Sequence, residues 1–234
     1  MITAQLPLEL DANRSQRFEN FWSGANGTAV AALHALAHEP AGRWLELSGP
    51  GDAGKSHLLR ATARACQGAV VLPGASLAES VAPEELVEFA TAPLLCIDDV
   101  DSLFGPQAWE QGLFRLLVAL QQSRSGLVVA SRTGLRNCRP ALPDLASRLT
   151  WGESHRVAAL DDEDKAALLR ARSTEIGLKL DSRTLDYMLS RLPRSTGELL
   201  AWLDRIAAAS LAAHRRVTVP LVRSLISEQV PSAG

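Results

Sequence analysis

Residues 49–56, Gly49-Pro50-Gly51-Asp52-Ala53-Gly54-Lys55-Ser56, fit the pattern G-x-x-x-x-G-K-[ST] at every fixed position. A loop of this kind holds phosphate because glycines let the backbone curl until successive N–H groups point at the same oxygens. Its lysine neutralises the β and γ phosphates and its serine hydroxyl ligates Mg²⁺. The flanks supply the setting that the motif requires. Arg43-Trp44-Leu45-Glu46-Leu47-Ser48 reads as a strand entering the loop, and Ser56 to Cys66 as a helix leaving it, which places the phosphates on a helix N-terminus. The plainer reading, a glycine-rich turn with a stray lysine, explains neither flank. Gly49, Pro50, Gly51, Asp52, Ala53, Gly54, Lys55 and Ser56 are therefore candidate ligands of ADP or ATP, with Ser56 also a candidate for Mg²⁺.

Downstream, Leu94-Leu95-Cys96-Ile97-Asp98-Asp99 is an apolar run ending in two carboxylates and looks like a Walker B motif. In a parallel sheet it is expected to lie beside the loop strand, with Asp98 near Mg²⁺ and Asp99 able to orient water. An acidic pair is by itself equally a strand exit or a helix cap; the phosphate loop upstream favours the metal reading. Ala69 to Leu72 and Gly126 to Ser131 read as further strands, with a helix over Pro106 to Gln122, so the alternation predicts an α/β domain. Ser131, ending its strand, is a candidate polar sensor of the γ phosphate.

After Leu160 the pattern turns wholly helical: Asp161 to Gly177, Asp181 to Leu192, Ser195 to Arg215 and Pro220 to Gln229. Gly177 suits a helix end, and Ser195-Thr196-Gly197-Glu198 fits a capping box. The expected organisation is an N-terminal arm at 1–13, an α/β nucleotide-binding domain at 14–158 and a small helical lid at 159–234.

Composition narrows the class further. Of 234 residues, 47% are apolar and 21% charged, with a formal charge of −2, so no global positive field draws the chain onto nucleic acid. Arg132, Arg136 and Arg139, and the pair Arg215-Arg216, lack interleaved aromatics and read as solvated loops. Cys66, Cys96 and Cys138 are odd in number and widely spaced, which fits reduced thiols rather than a disulfide framework or a zinc site. With no apolar run of spanning length and no leader-like N-terminus, a cytoplasmic location without membrane attachment is expected.

An α/β phosphate-loop domain followed by a helical lid resembles the AAA+ arrangement, and particular residues resemble its DnaA family. Phe18-Glu19-Asn20-Phe21 with Gly24 and Asn26 looks like that family's opening segment, which packs beside the nucleotide base, and Asp98-Asp99 matches its acidic pair. Asp144-Leu145-Ala146-Ser147-Arg148-Leu149, followed by Trp151-Gly152, is similar to the Box VII segment of the Hda group within the family. The resemblance runs from about residue 4 to residue 229.

The resemblance implies that Arg148 acts as an arginine finger in trans. On the residues alone, a helix-end cap or a pair with Asp144 one turn earlier explains Arg148 as well. It also implies that Gln5-Leu6-Pro7-Leu8-Glu9-Leu10 docks through Gln5, Leu6, Leu8 and Leu10 on the sliding clamp, the β subunit of the replicative polymerase. On the residues alone this stretch equally reads as an edge strand that tolerates Pro7. The function implied is negative regulation of chromosomal replication initiation. Bound to the DNA-loaded clamp, the protein would stimulate hydrolysis of DnaA-bound ATP and leave inactive ADP–DnaA; a homodimer is compatible with the sequence. The chain ends soon after the last lid helix, so no sequence-specific DNA-binding domain is expected. Two departures matter. Ser131-Arg132-Thr133 stands where relatives follow the sensor strand with Asp and Arg, and Gly197 aligns with the family's second-sensor arginine, so weak or absent ATPase activity of its own is expected. A DnaC-like helicase loader and a self-sufficient AAA+ ATPase are the alternatives.

Overall fold

The computed structural model describes residues 16–229; the arm residues Gln5, Leu6, Leu8 and Leu10 lie outside the described residues. The chain forms two compact units that divide between Ala159 and Leu160.

The first unit is built on a five-stranded, wholly parallel sheet: β1 (Trp44–Ser48), β2 (Val70–Pro73), β3 (Leu94–Asp98), β4 (Gly126–Ser131) and β5 (Glu153–Arg156), in the order β2-β3-β4-β1-β5. Strand side chains alternate between faces, and this period divides the core in two. Leu45, Leu47, Leu94, Cys96, Val128 and Ala130 pack with Leu33 and Leu36 of α1 (Gly27–His38) and Leu58 and Leu59 of α2 (Lys55–Ala65). Leu95, Ile97, Leu127 and Val129 pack on the other face. There they meet Leu77 of the short α3 (Gly74–Leu77), Leu113, Leu116, Leu117 and Leu120 of α4 (Gln107–Ser123), and Leu145 and Leu149 of α5 (Pro143–Leu149). Each fully buried leucine contributes about 1.5–3 kcal/mol of transfer free energy.

One expectation is corrected by this order. The Asp98 strand does not lie beside the loop strand, because β4 is inserted between β1 and β3. Both faces of the sheet are covered, so β3 and β4 read as equivalent apolar runs and their sequences do not rank them for the place next to β1. β4, buried along its whole length, takes the middle, leaving β1 and β3 about 10 Å apart at the usual strand spacing.

A buried carboxylate fixes the approach to α5. Glu110 of α4 accepts N–H bonds from Gly105 (2.8 Å), Ala141 (3.0 Å) and Leu142 (2.7 Å). Burial pushes its carboxyl up, but the three backbone donors outweigh it and hold the group below the usual carboxylate range. A depressed folded-state value means stability that is complete above the unfolded carboxylate range and lost as pH falls through the folded value. Glu110→Gln sets an amide N–H₂ against backbone donors. It is expected to cost about 2–3 kcal/mol at neutral pH in urea denaturation and to remove part of the acid limb of the stability profile.

The second unit is helical: α6 (Asp162–Glu175), α7 (Ser182–Arg191), α8 (Thr196–Ala212) and α9 (Val219–Gln229). Side chains of Asp161, Asp181 and Ser195 cap the first three by accepting N–H bonds from Asp164, Thr184 and Glu198. Helical spacing sets the apolar stripes, Leu185 and Met188 on α7 and Leu199, Trp202, Leu203 and Ile206 on α8. These close a separate core with Leu169, Val217 and Val222. Among the described residues no helix is long and apolar enough to cross a membrane.

Candidate functional site

The glycine-rich loop sits at the C-terminal end of β1, tied on two sides. The Gly49 N–H donates to Ser131 O (3.3 Å) on β4, and the Val157 N–H beyond β5 donates to Ser48 O (2.7 Å). Gly54, which precedes α2, has φ 89°, and a Cβ there would stand 2.7 Å from Cε2 of Phe21. Phe21 also meets His57 of α2 edge-on at 5.2 Å, so the opening segment lies along the first turns of the helix that leaves the loop. Burial holds the His57 imidazole below its ordinary value, opposed by a 2.9 Å hydrogen bond with Arg17 O.

Lys55 opens α2 and is only 6% exposed; its Nζ donates to Gly49 O and Pro50 O, each at 2.8 Å. Among the described residues no carboxylate lies within ion-pair distance of this ammonium. A buried cation held only by neutral carbonyls is costly unless an anion joins it. The free N–H groups at the start of α2 point the same way, so the loop fits phosphate chemically.

Asp98 ends β3, and its Oδ1 accepts the Asp99 N–H at 3.1 Å. Asp99 follows in the left-handed region at φ 44°, which turns the chain sharply out of the strand. Burial raises the Asp99 carboxyl above its ordinary value, Asp98 adds to this, and Arg132 opposes it. Arg132 keeps 73% side-chain exposure, as a solvated loop should, yet its Nε comes to 4.0 Å from Asp99 Oδ1. Ile97 pairs with Val129 and Ser48 with Ser131, so the acidic pair is level with the end of β1. Half-buried Ser56 is in the first turn of α2.

Ser131, the candidate sensor, has a wholly buried side chain that donates to Glu46 Oε1 (3.2 Å) and accepts the Gly134 N–H (3.2 Å). Glu46 also accepts the Leu135 N–H, so it joins β1 to the turn after β4. The sequence gives no sign of this, because a lone acid in an apolar strand ordinarily marks the exposed face.

Arg148 lies near the end of α5. Its guanidinium stands 5.0 Å from the Phe114 ring centroid and 5.1 Å from that of Trp151, and it donates to Gln121 Oε1 at 2.9 Å. Among the described residues it forms no ion pair with Asp144, and every contact it makes is neutral. Its neighbours also fix its position. Gln121 is in the last turn of α4, which leads into the start of β4, and Trp151 stacks on Trp44, the first residue of β1, with centroids 6.2 Å apart and planes at 22°. Arg148 is therefore at the end of the sheet opposite the phosphate loop, separated from it by the length of β1, about 13 Å. A cavity of about 520 Å³ opens beside it, lined by Arg43, Trp44, Gln121, Arg124, Trp151 and Glu153 among others. In the second unit, Gly197 is an exposed residue in the first turn of α8.

The parallel sheet, the glycine-rich loop and the following helical unit form an AAA+-like arrangement. Its fold is shared with domain III of Thermotoga maritima DnaA (TM-score 0.74, 21% identity, covering 91% of this chain and 96% of that one). It is shared also with a DNA replication initiation factor (TM-score 0.71, 20% identity, 84% of this chain) and with the Thermotoga maritima RuvB Holliday junction branch migration motor (TM-score 0.64, 16% identity, 91% of this chain and 73% of that one). The chain spans 65% of the length of that initiation factor. At such identities the likeness is one of fold. The helical unit is more specific: residues 162–226 match the family model of the Hda lid domain. The helical unit thus resembles an Hda lid domain, and the chain as a whole shares the fold of DnaA domain III.

Proposed function

We propose that this protein restrains replication initiation by presenting Arg148 to ATP held by DnaA, while its N-terminal arm tethers it to the DNA-loaded sliding clamp. The observation that carries this reading is the placement of Arg148: a guanidinium that, among the described residues, is held by neutral groups, at the end of the sheet remote from its own phosphate loop. Such a group serves a nucleotide on another subunit. There its planar fork binds two phosphate oxygens and stabilises the charge that develops during phosphoryl transfer.

In the protein's own site, the loop N–H groups and Lys55 would hold the phosphates of ADP or ATP. Ser56 and Asp98 would hold Mg²⁺; because β4 separates β1 from β3, Asp98 suits a metal that keeps part of its water shell. Bound Mg²⁺ supplies charge neutralisation at the phosphates. Asp99 would orient water, but no arginine of the second-sensor kind stands at Gly197, which favours a bound nucleotide that turns over slowly. The tether raises the local concentration of the finger without adding chemistry.

The test is single-turnover hydrolysis of labelled ATP preloaded on DnaA, with clamp and DNA present or omitted. Acceleration only when all are present supports the proposal; hydrolysis independent of the clamp overturns the tether, and none in any mixture overturns the function. Alanine at Gln5, Leu6 and Leu8 together is expected to abolish clamp binding and to shift the melting temperature by less than about 2 °C, since a segment that serves as a tether would contribute little to a core. A large drop in melting temperature would make the segment a structural strand instead.

A further inference from the structure

Arg148 is held, and the identity of what holds it is informative. We infer that Gln121 and Trp151 are positioning residues that aim the Arg148 guanidinium while leaving its charge available; this rests on the reading of Arg148 as a trans finger.

Three observations converge. The Gln121 amide oxygen accepts from Arg148 Nη1 at 2.9 Å and so fixes one edge of the guanidinium without a negative charge. A carboxylate in that position would pair with the arginine and compete with the phosphate it is meant to meet. Trp151 places its ring 5.1 Å from the guanidinium carbon, within the range of a cation–π contact, which limits rotation of the plane. Trp151 is itself 56% exposed, yet it is fixed from behind by its stack on Trp44. Gly152 makes that stack accessible: a Cβ at this position would lie 2.4 Å from Trp44 O, so only glycine lets the chain run this close. Gln121 belongs to α4 and Trp151 to the bend between α5 and β5, so two separate segments hold the guanidinium, and an exposed tryptophan backed in this way is arranged for the arginine beside it.

The experiment is the reconstituted single-turnover reaction, run over a range of concentrations of this protein to separate the plateau rate from the half-saturating concentration. The variants are Trp151→Ala, Trp151→Phe, Gln121→Glu and Arg148→Ala, all compared with wild type. A misaimed finger is expected to lower the Trp151→Ala plateau by about 10-fold or more at unchanged half-saturation, with Trp151→Phe restoring most of it. Gln121→Glu is expected to lower the plateau several-fold by trapping the guanidinium, although the residue is exposed and folding is unaffected. If Arg148→Ala is inactive while Trp151→Ala and Gln121→Glu reach the wild-type plateau, the positioning role is wrong and the finger stands. A changed half-saturation at wild-type plateau makes Trp151 a contact residue and also overturns the inference. Wild-type rates in Arg148→Ala overturn the finger reading itself.

Discussion

Arg148→Ala is expected to lower clamp-dependent hydrolysis of DnaA-bound ATP by about 10³-fold or more, or about 4 kcal/mol of transition-state stabilisation at the low end for an arginine finger. The variant's own nucleotide affinity and its clamp binding should be unchanged, because Arg148 is a strand length away from Lys55 and, among the described residues, its guanidinium is held by Phe114, Trp151 and Gln121. No surface contact between neutral groups and an arginine accounts for a loss of that size. Lysine at this position should rescue poorly: it restores a charge but neither the planar fork nor the flat face that lies against the two rings. Rate constants from preloaded, single-turnover reactions decide the matter, and a wild-type rate in the alanine variant would reduce Arg148 to a structural residue.

The second large effect is expected at the phosphate loop. Lys55→Ala removes a buried ammonium whose hydrogen-bond partners among the described residues are the carbonyls of Gly49 and Pro50. Losing one member of a buried, hydrogen-bonded charge pair costs about 2–5 kcal/mol, so affinity for ADP or ATP should fall by roughly 30-fold or more. Calorimetric titration measures this directly. Melting of the nucleotide-free variant should stay near wild type, since removing the lysine also removes an uncompensated buried charge. Undiminished affinity would mean that the loop does not bind phosphate in the proposed way.

What was legible in the sequence follows from what each residue has to do. The loop shows itself because its chemistry needs glycines, a lysine and a serine at fixed spacing, and the lid shows itself because Leu199, Trp202, Leu203 and Ile206 recur at helical period under a capping serine. β5 was invisible: Glu153-Ser154-His155-Arg156 is a polar edge strand, held by its ladder with β1 and carrying no apolar alternation. α1 was missed for the opposite reason, since an alanine-rich helix that buries Ala29, Leu33, Leu36 and Ala37 has little contrast between its faces. The order of β1, β4 and β3 depends on pairing between runs of equal hydrophobicity, which no local pattern records. Glu46 and Glu110 are acids inside a core, tolerated only because backbone N–H groups reach them from segments far along the chain.

The placement of loop and finger at opposite ends of one sheet gives the molecule a direction. Two copies related by a two-fold axis through the Arg148 face bring arginine against arginine, with no nucleotide between them, so such a pairing is mute as a catalyst. Only a head-to-tail contact puts one subunit's arginine at another's phosphates. A chain whose arginine is engaged with a different protein does not reach its own nucleotide with that arginine. On the proposed reading, its own nucleotide would then behave as a fixed part of the architecture, and catalysis would run one way, from the subunit that lends the arginine to the one that receives it.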